Sequence, residues 1–291
     1  MSDSLTRFLF DRHPVRGEFA SLDASWLAVL ERRSYPPAIR RVLGETLAAA
    51  ALLSATIKYD GLMTLQIQAK GLLRLLVVQV TAERTLRALA RWDESAGRLE
   101  QEASIPLAEL CGHGTLVLTI EPASGEAYQG IVALDGDSIA EALEAYFERS
   151  EQLPTHLCLA ADECRAAGLL VQRLPGSDSD ADLWNRVEQL SATLGAEELL
   201  AIDAATLLRR LFHEEDVRVF EDQPLAFRCT CSRERTGGML RALAPAEVRE
   251  LLAEQGEISV DCEFCGQRYR FDAVDVGALL AGTSESGVTR H

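Results

Sequence analysis

Hydrophobic and polar residues alternate along the middle of the first 175 residues. Because side chains i and i+2 of a strand share a face, this alternation predicts strands. Five segments show it between turn residues: "MTLQIQAKG" (63–71), "LLRLLVVQV" (72–80), "TLRALARW" (85–92), "GTLVLTIEP" (114–122) and "AYQGIVAL" (127–134). We expect these strands to form a mostly antiparallel sheet.

Helical periodicity flanks these strands. The segment 38–59 follows a double proline, which suits a helix start, and 137–153 has apolar residues at i, i+3 and i+4. Two further strands are predicted at "PTHLCLAAD" (154–162) and "GLLVQRLPG" (168–176). Residues 1–175 are therefore predicted to form one α+β domain with helices packed on its sheet.

The remaining chain divides at two composition changes. Residues 176–228 contain twelve Asp or Glu against five Arg, a net charge of -7, and carry helical patterns at 182–194 and 196–215. Such helices are marginal alone, so we expect this acidic linker to pack on a neighbour. Residues 229–291 form a small cysteine-bearing unit, in which 236–256 is predicted to be helical and to end at Gly256.

Charge and hydropathy narrow the possible partners. The net charge of -16 repels a phosphate backbone, so no nucleic acid partner is expected. The longest apolar run, 47–57, is too short to span a bilayer, and the first residues show no secretory signal. We therefore expect a cytoplasmic protein that does not enter membranes, in a compartment where thiols stay reduced.

Four cysteines form two tight pairs, Cys229 with Cys231 and Cys262 with Cys265, separated by thirty residues. The spacing is C-x-C followed by C-x-x-C, and tetrahedral zinc takes four thiolates from two such segments. Gly266 follows the second pair, where a tight turn needs a positive φ. The sequence predicts one zinc ion held by these four thiolates in a small C-terminal zinc-binding domain.

Three other interpretations compete for this site. A purely structural zinc would hold an interaction module too small for its own core. A nucleic-acid-binding zinc ribbon is disfavoured, because residues 221–275 carry eleven Asp or Glu against seven Arg, a net charge of -4. A dithiol oxidoreductase is disfavoured because "CEFC" (262–265) lacks a clear βαβ context.

Other candidate residues are given structural roles. Cys111, Cys158 and Cys164 are interpreted as buried or loop thiols, and His113 and His156 as lone structural histidines. The segment "HEED" (213–216) begins like the H-E-x-x-H motif of zincin metalloproteases. Its residue 217 is valine instead of the second histidine, so no zincin site is predicted. No Cys-His or Ser-His-Asp triad is supported by spacing, so no catalytic residue is predicted.

The chemistry of the cysteine site also permits a switch. Zinc-bound thiolates are deprotonated and are oxidised where they are accessible. Loss of a structural zinc removes on the order of 10 kcal/mol of folding free energy. Oxidation is therefore expected to unfold the small unit and to release the acidic linker.

Several segments resemble those of the bacterial thirty-three-kilodalton chaperonin family, in that family's order. They are "VRGE" (15–18), "YQG" (128–130), "YFERSEQLPT" (146–155), "LFHEEDV" (211–217), "CTCSRER" (229–235) and "GEISVDCEFCG" (256–266). The resemblance covers essentially the whole chain, and its cysteine motifs are specific.

The resemblance implies a redox-regulated, ATP-independent holdase chaperone and not an enzyme. The reduced, zinc-bound form would be inactive. Oxidation would form the Cys229–Cys231 and Cys262–Cys265 disulfides, expel zinc, and expose surface that binds unfolded or oxidatively damaged client proteins. The resemblance further implies a homodimer in the oxidised state and transfer of clients to ATP-dependent chaperones.

Overall fold

The chain folds into two compact units, one ending at Arg228 and the other beginning at Cys229. The computed structural model describes residues 3–134, 136–176 and 179–281. Two residues of the predicted loop before the acidic linker, 177 and 178, and the last ten residues of the predicted zinc-binding domain lie outside the described residues. The assignment of separate roles to 1–175, 176–228 and 229–291 stays a prediction.

The described residues of the larger unit form two sheets and several helices. Its elements are β1 (Ser4–Phe10), β2 (Val15–Leu22), α1 (Ala24–Leu30), α2 (Pro37–Thr56), β3 (Leu62–Gln68), β4 (Leu73–Thr81), β5 (Thr85–Trp92), α3 (Arg98–Gln101), α4 (Leu107–Cys111), β6 (Thr115–Glu121), β7 (Tyr128–Ala133), α5 (Ile139–Tyr146), β8 (Thr155–Ala161), β9 (Ala166–Arg173), α6 (Leu183–Ala192), α7 (Ala196–Ala201), α8 (Ala204–Phe212), β10 (Val217–Val219), β11 (Gln223–Pro224) and β12 (Ala226–Phe227).

Both sheets are mostly antiparallel, which confirms the predicted fold class. The first has the order β10-β1-β2-β9-β8, and β11 also pairs with β1. The second has the order β12-β5-β4-β3-β6-β7 and contains all five strands predicted from the alternation. Its one parallel pairing within the described residues joins β12 to β5.

Helix α2 contributes the centre of the main core. It begins at the predicted double proline, and its residues from Val42 to Leu53 are buried. Leu47 and Leu52 belong to a continuous apolar cluster with Leu65 of β3, Val78 of β4 and Leu170 of β9. The helix therefore joins the two sheets through one core, which explains why its apolar residues are not confined to a narrow stripe.

The acidic linker packs on the other face of the first sheet. Leu183 and Val187 of α6 and Leu207 of α8 share an apolar cluster with Phe8 and Phe19. The predicted helix at 196–215 is interrupted, because Asp203 accepts a hydrogen bond from the Thr206 backbone N–H and starts α8 as its N-cap. These helices gain from the sheet the burial that they lack alone.

Over residues 229–281, the described part of the smaller unit, there are one hairpin and three helices. Its elements are α9 (Arg233–Ala242), α10 (Pro245–Gln255), β13 (Ile258–Asp261), β14 (Arg268–Phe271) and α11 (Ala273–Ala281). The prediction of one helix over 236–256 is wrong at Pro245, which lacks a backbone N–H and starts a second helix. The predicted end at Gly256 is confirmed, with φ of 74°.

Within 3–134, 136–176 and 179–281, none of the helices has both the length and the apolarity needed to cross a bilayer.

Candidate metal centre

The C-x-x-C pair lies in the turn of the β13–β14 hairpin. The Gly266 backbone N–H donates to the Cys262 carbonyl at 2.7 Å, and the Cys262 N–H donates to the Gln267 carbonyl at 2.9 Å. Gly266 has φ of 71°, as the spacing predicted. Below the turn, the Arg268 guanidinium binds both carboxylate oxygens of Asp261, at 2.7 and 2.8 Å. Turn and hairpin together hold the two sulfurs on one side.

The C-x-C pair lies just before α9. Ser232 is the N-cap of that helix, and its hydroxyl accepts a hydrogen bond from the Arg235 backbone N–H at 3.2 Å. The Arg235 guanidinium donates to the carbonyl of Thr230, between the two cysteines, at 2.7 Å. A thiolate in this position is favoured by the positive end of the helix dipole.

The four sulfurs converge into one cluster. All four Sγ atoms lie within 4.8 Å of one another and are half-buried. Cys229 Sγ lies 3.6 Å from Cys262 Sγ, and Cys231 Sγ lies 3.4 Å from Cys265 Sγ. Tetrahedral zinc with Zn–S bonds of about 2.3 Å separates its sulfurs by about 3.8 Å, so the geometry fits this ion.

The surroundings of the sulfurs also suit a cation. Burial raises the pKa of the Cys262 thiol, whereas hydrogen bonds from the backbone N–H groups of Cys265 and Phe264 lower it. Burial likewise raises the pKa of Cys265. The Tyr269 hydroxyl donates to Cys231 Sγ at 3.1 Å. These N–H and O–H groups can donate hydrogen bonds to ionised sulfurs. A bound divalent cation would offset the cost of burying the negative charge of the thiolates.

The other predicted thiols lie in the larger unit. None of the seven cysteines, all within the described ranges, is in a disulfide. Cys111 is buried, which raises its pKa to about 12, and Cys164 is exposed. His113 and His213 are both exposed.

His156 is not a lone histidine, which corrects the sequence interpretation. Its ring lies within hydrogen-bonding distance of both Cys158 and Glu144. The spacing H-x-C on a strand was a local signal for this contact, since it places both side chains on one face. Glu144 lies on a different element, so the sequence alone did not associate it with them.

Comparisons with known proteins agree on one family for this chain. Residues 3–272 match the model of the family described as "Hsp33 protein". The "33 kDa chaperonin" of Ectopseudomonas mendocina is 48% identical over 300 residues, covering 100% of both chains. That of Neisseria meningitidis is 47% identical, covering 100% of this chain and 96% of the relative.

A solved structure of a 33 kDa chaperonin has the same fold as this chain. The crystal structure of the 33 kDa chaperonin from Thermotoga maritima aligns with a TM-score of 0.80 at 25% identity. The alignment covers 97% of this chain and 99% of that one.

Proposed function

The chain belongs to the Hsp33 family of chaperones, which are not enzymes, and from that premise we propose that it is a redox-regulated, ATP-independent holdase. The observation that carries the proposal is the convergence of two close cysteine pairs into one cluster of four sulfurs. Such a cluster can act as a set of metal ligands in one state and as two disulfides in another.

In the reduced state, Cys229, Cys231, Cys262 and Cys265 hold one zinc ion. The ion supplies the positive charge that keeps four neighbouring thiols ionised and links the C-x-C segment to the hairpin. Around this site, the smaller unit has only a modest core, with five buried apolar residues among those described: Leu240, Val248, Ile258, Phe271 and Val276. The unit therefore depends on the metal for its stability.

Oxidation converts the ligands into disulfides. Two thiolates and one hypochlorous acid give one disulfide, chloride and hydroxide, so two equivalents of oxidant convert all four sulfurs. The pairs Cys229–Cys231 and Cys262–Cys265 are proposed from the family resemblance. The shortest sulfur contacts, Cys229–Cys262 and Cys231–Cys265, join the two segments instead, so the pairing needs its own measurement.

Without its metal the smaller unit unfolds, and the acidic linker is released. The linker covers an apolar face of the first sheet that includes Phe8, Phe19 and Val171. We propose that surface of this kind then binds unfolded or oxidatively damaged proteins. The oxidised form is a homodimer, acts in the cytoplasm, and passes its clients to ATP-dependent chaperones after reduction.

The test compares reduced and hypochlorite-treated full-length protein. We expect about one zinc per chain and no protection of a heat-denatured client in the reduced form. After oxidation we expect zinc release and suppression of client aggregation, measured by light scattering. The control variant Cys164→Ser, which removes an exposed thiol outside the cluster, is expected to behave like the wild type.

Two results would contradict the proposal. One is equal protection by the reduced protein; the other is retention of zinc after all four thiols have been exposed to oxidant. The alternative, an interaction module with a purely structural zinc, predicts that Cys229→Ser destabilises the protein and that no oxidant-dependent activity exists. Peptide mapping of the oxidised protein by mass spectrometry identifies the disulfide pairs, and a Cys229–Cys262 link would overturn the proposed pairing.

A further inference from the structure

A second cluster of reactive side chains lies in the larger unit, on the edge strand β8. His156 and Cys158 are two residues apart on this strand and share a face. Cys158 Sγ lies 3.6 Å from His156 Nε2. His156 Nδ1 lies 2.9 Å from Glu144 Oε1, on α5. A thiol, an imidazole and a carboxylate are thus connected in series, as in sites where a histidine activates a nucleophile.

Glu144 fixes the orientation of the imidazole. Its Oε1 also accepts a hydrogen bond from the Leu157 backbone N–H at 2.7 Å, which satisfies an edge-strand donor and anchors the carboxylate. With the Nδ1–H group donated to Glu144, Nε2 is left facing the sulfur. Cys158 first, and Glu144 second, raise the pKa of His156 to about 10. A protonated imidazole in this position faces the sulfur with its Nε2–H group and stabilises a thiolate when one forms.

The sulfur is accessible to small molecules. Cys158 is half-buried and lines a cavity of about 280 Å³. The far wall of this cavity is formed by Ala192, Leu194 and Leu199 of the acidic linker. This volume is several times the ~30 Å³ that one water molecule occupies in the liquid, so it admits a small hydroperoxide.

We propose that Cys158 is a second redox site, independent of the metal cluster, at which small hydroperoxides oxidise the thiol to a sulfenic acid. The Cys158 thiolate attacks the terminal oxygen of the hydroperoxide. The O–O bond breaks as the S–O bond forms, and the alkoxide or hydroxide that leaves takes the proton from the His156 imidazolium. One thiol and one hydroperoxide thus give one sulfenic acid and one alcohol or water molecule.

The chain provides its own comparison. Cys164 is more exposed than Cys158, so access alone predicts that Cys164 reacts first. Cys111 is buried and is expected to stay unmodified. A free thiol is only about 3% ionised at pH 7, and the thiolate is the form that attacks a peroxide. Full ionisation therefore raises the rate of oxidation roughly tenfold, because a thiolate of lower pKa is also a weaker nucleophile.

The experiment treats reduced, zinc-loaded, full-length protein with limiting hydrogen peroxide and traps sulfenic acids with dimedone. Mass spectrometry then measures the labelling rate of each cysteine, while zinc retention shows that the metal cluster is intact. We expect Cys158 to be labelled about ten times faster than Cys164. Labelling of Cys158 at or below the rate of Cys164 would overturn the proposal. That result would mean that the thiol donates its hydrogen to the Ser191 carbonyl oxygen, 3.4 Å away, and is inert.

Variants distinguish a role of His156 in the oxidation of Cys158 from a role in folding. His156→Gln is expected to reduce the Cys158 rate about tenfold, and Glu144→Gln to reduce it less, since a glutamine oxygen still accepts from Leu157. His113→Gln, at an exposed histidine, is the matched control and leaves the rate unchanged. Thermal melting of each variant reports on folding. A His156→Gln protein that loses stability but keeps its Cys158 rate would show that His156 is merely structural.

Discussion

The two units of this chain achieve stability by different means. The larger has two sheets joined by α2, with buried apolar residues in two extensive clusters. The smaller, as far as residue 281, has one hairpin and three helices around a single small cluster. A core of the first kind is sufficient for folding, whereas one of the second kind needs a crosslink or a metal. The difference indicates that loss of a metal would affect the smaller unit far more than the main core of the larger one.

The largest effect is expected from removing a ligand. Cys262→Ser should abolish zinc binding and withdraw on the order of 10 kcal/mol of folding free energy from the smaller unit. Hydrogen exchange over residues 233–281 should then show loss of protection. Trp26 and Trp92 lie in the larger unit outside the acidic linker, and their fluorescence should be unchanged, whereas Trp184 lies on α6 of the linker and should report its release. Persistent protection of the smaller unit would mean that its apolar core is sufficient.

Shortening a side chain in the main core should destabilise the larger unit and leave the metal site unchanged. Leu47 is fully buried in α2, so Leu47→Ala should lower the free energy of unfolding of the larger unit by about 2–5 kcal/mol. Urea titration followed by tryptophan fluorescence measures this change. Zinc content should stay the same as in the wild type. Leu27→Ala, at a side chain that is 42% exposed, is the control and should have a much smaller effect.

A buried carboxyl should make the larger unit sensitive to pH. Burial raises the pKa of Glu18 to about 7, against the opposing charges of Arg16 and Arg7. The folded state therefore holds this proton more tightly than the unfolded state. Stability from this group is fully present below about pH 4.5 and is lost as pH rises through 7, by up to about 3 kcal/mol.

Glu18→Gln should flatten that pH profile. The quantity to compare is the slope of the free energy of unfolding between pH 4.5 and 7, since the amide itself changes the absolute stability. Glu100→Gln, at an exposed position of α3, should keep the wild-type slope. An unchanged slope in Glu18→Gln would show that other groups cause the pH dependence.

The smallest effect concerns the backbone of the metal turn. Gly266 has φ of 71° with open space around its Cα, so Gly266→Ala should cost about 1–2 kcal/mol and weaken zinc binding roughly tenfold. A chelator competition measures the zinc affinity. Gly277→Ala is the matched control in the same unit. It lies in the middle of α11, where alanine is the better helix former, so its effect on stability should have the opposite sign.

Local patterns account for the elements that could be predicted. The strands β3 to β7 agree with the alternating segments to within three residues at each end, because each has one face in the core. The double proline marks the start of α2, because proline fits the first turn of a helix, where its missing N–H has no partner to lose. Pro245 was also a local signal, and the prediction of one helix across it ignored the lost hydrogen bond.

Long-range pairings could not be predicted in the same way. Strand β2 lies between β1 and β9, although about 150 residues separate Phe19 from its partner Leu169. The sequence predicted β9 as a strand but gave neither β2 nor the pairing, because many pairings bury similar apolar surface. The same limit hid the contact of Glu144 with His156, which depends on how α5 packs against β8.

The sequence by itself determined which residues form the candidate metal centre. Spacing within each cysteine pair and the glycine after the second pair are local constraints, so they indicated four ligands and a positive φ before any fold was known. Only the tertiary structure decided which sulfurs are nearest neighbours, what covers the first sheet, and that a half-buried thiol on β8 has an imidazole beside it. Those outcomes depend on contacts between residues far apart in the chain, and no local pattern records them.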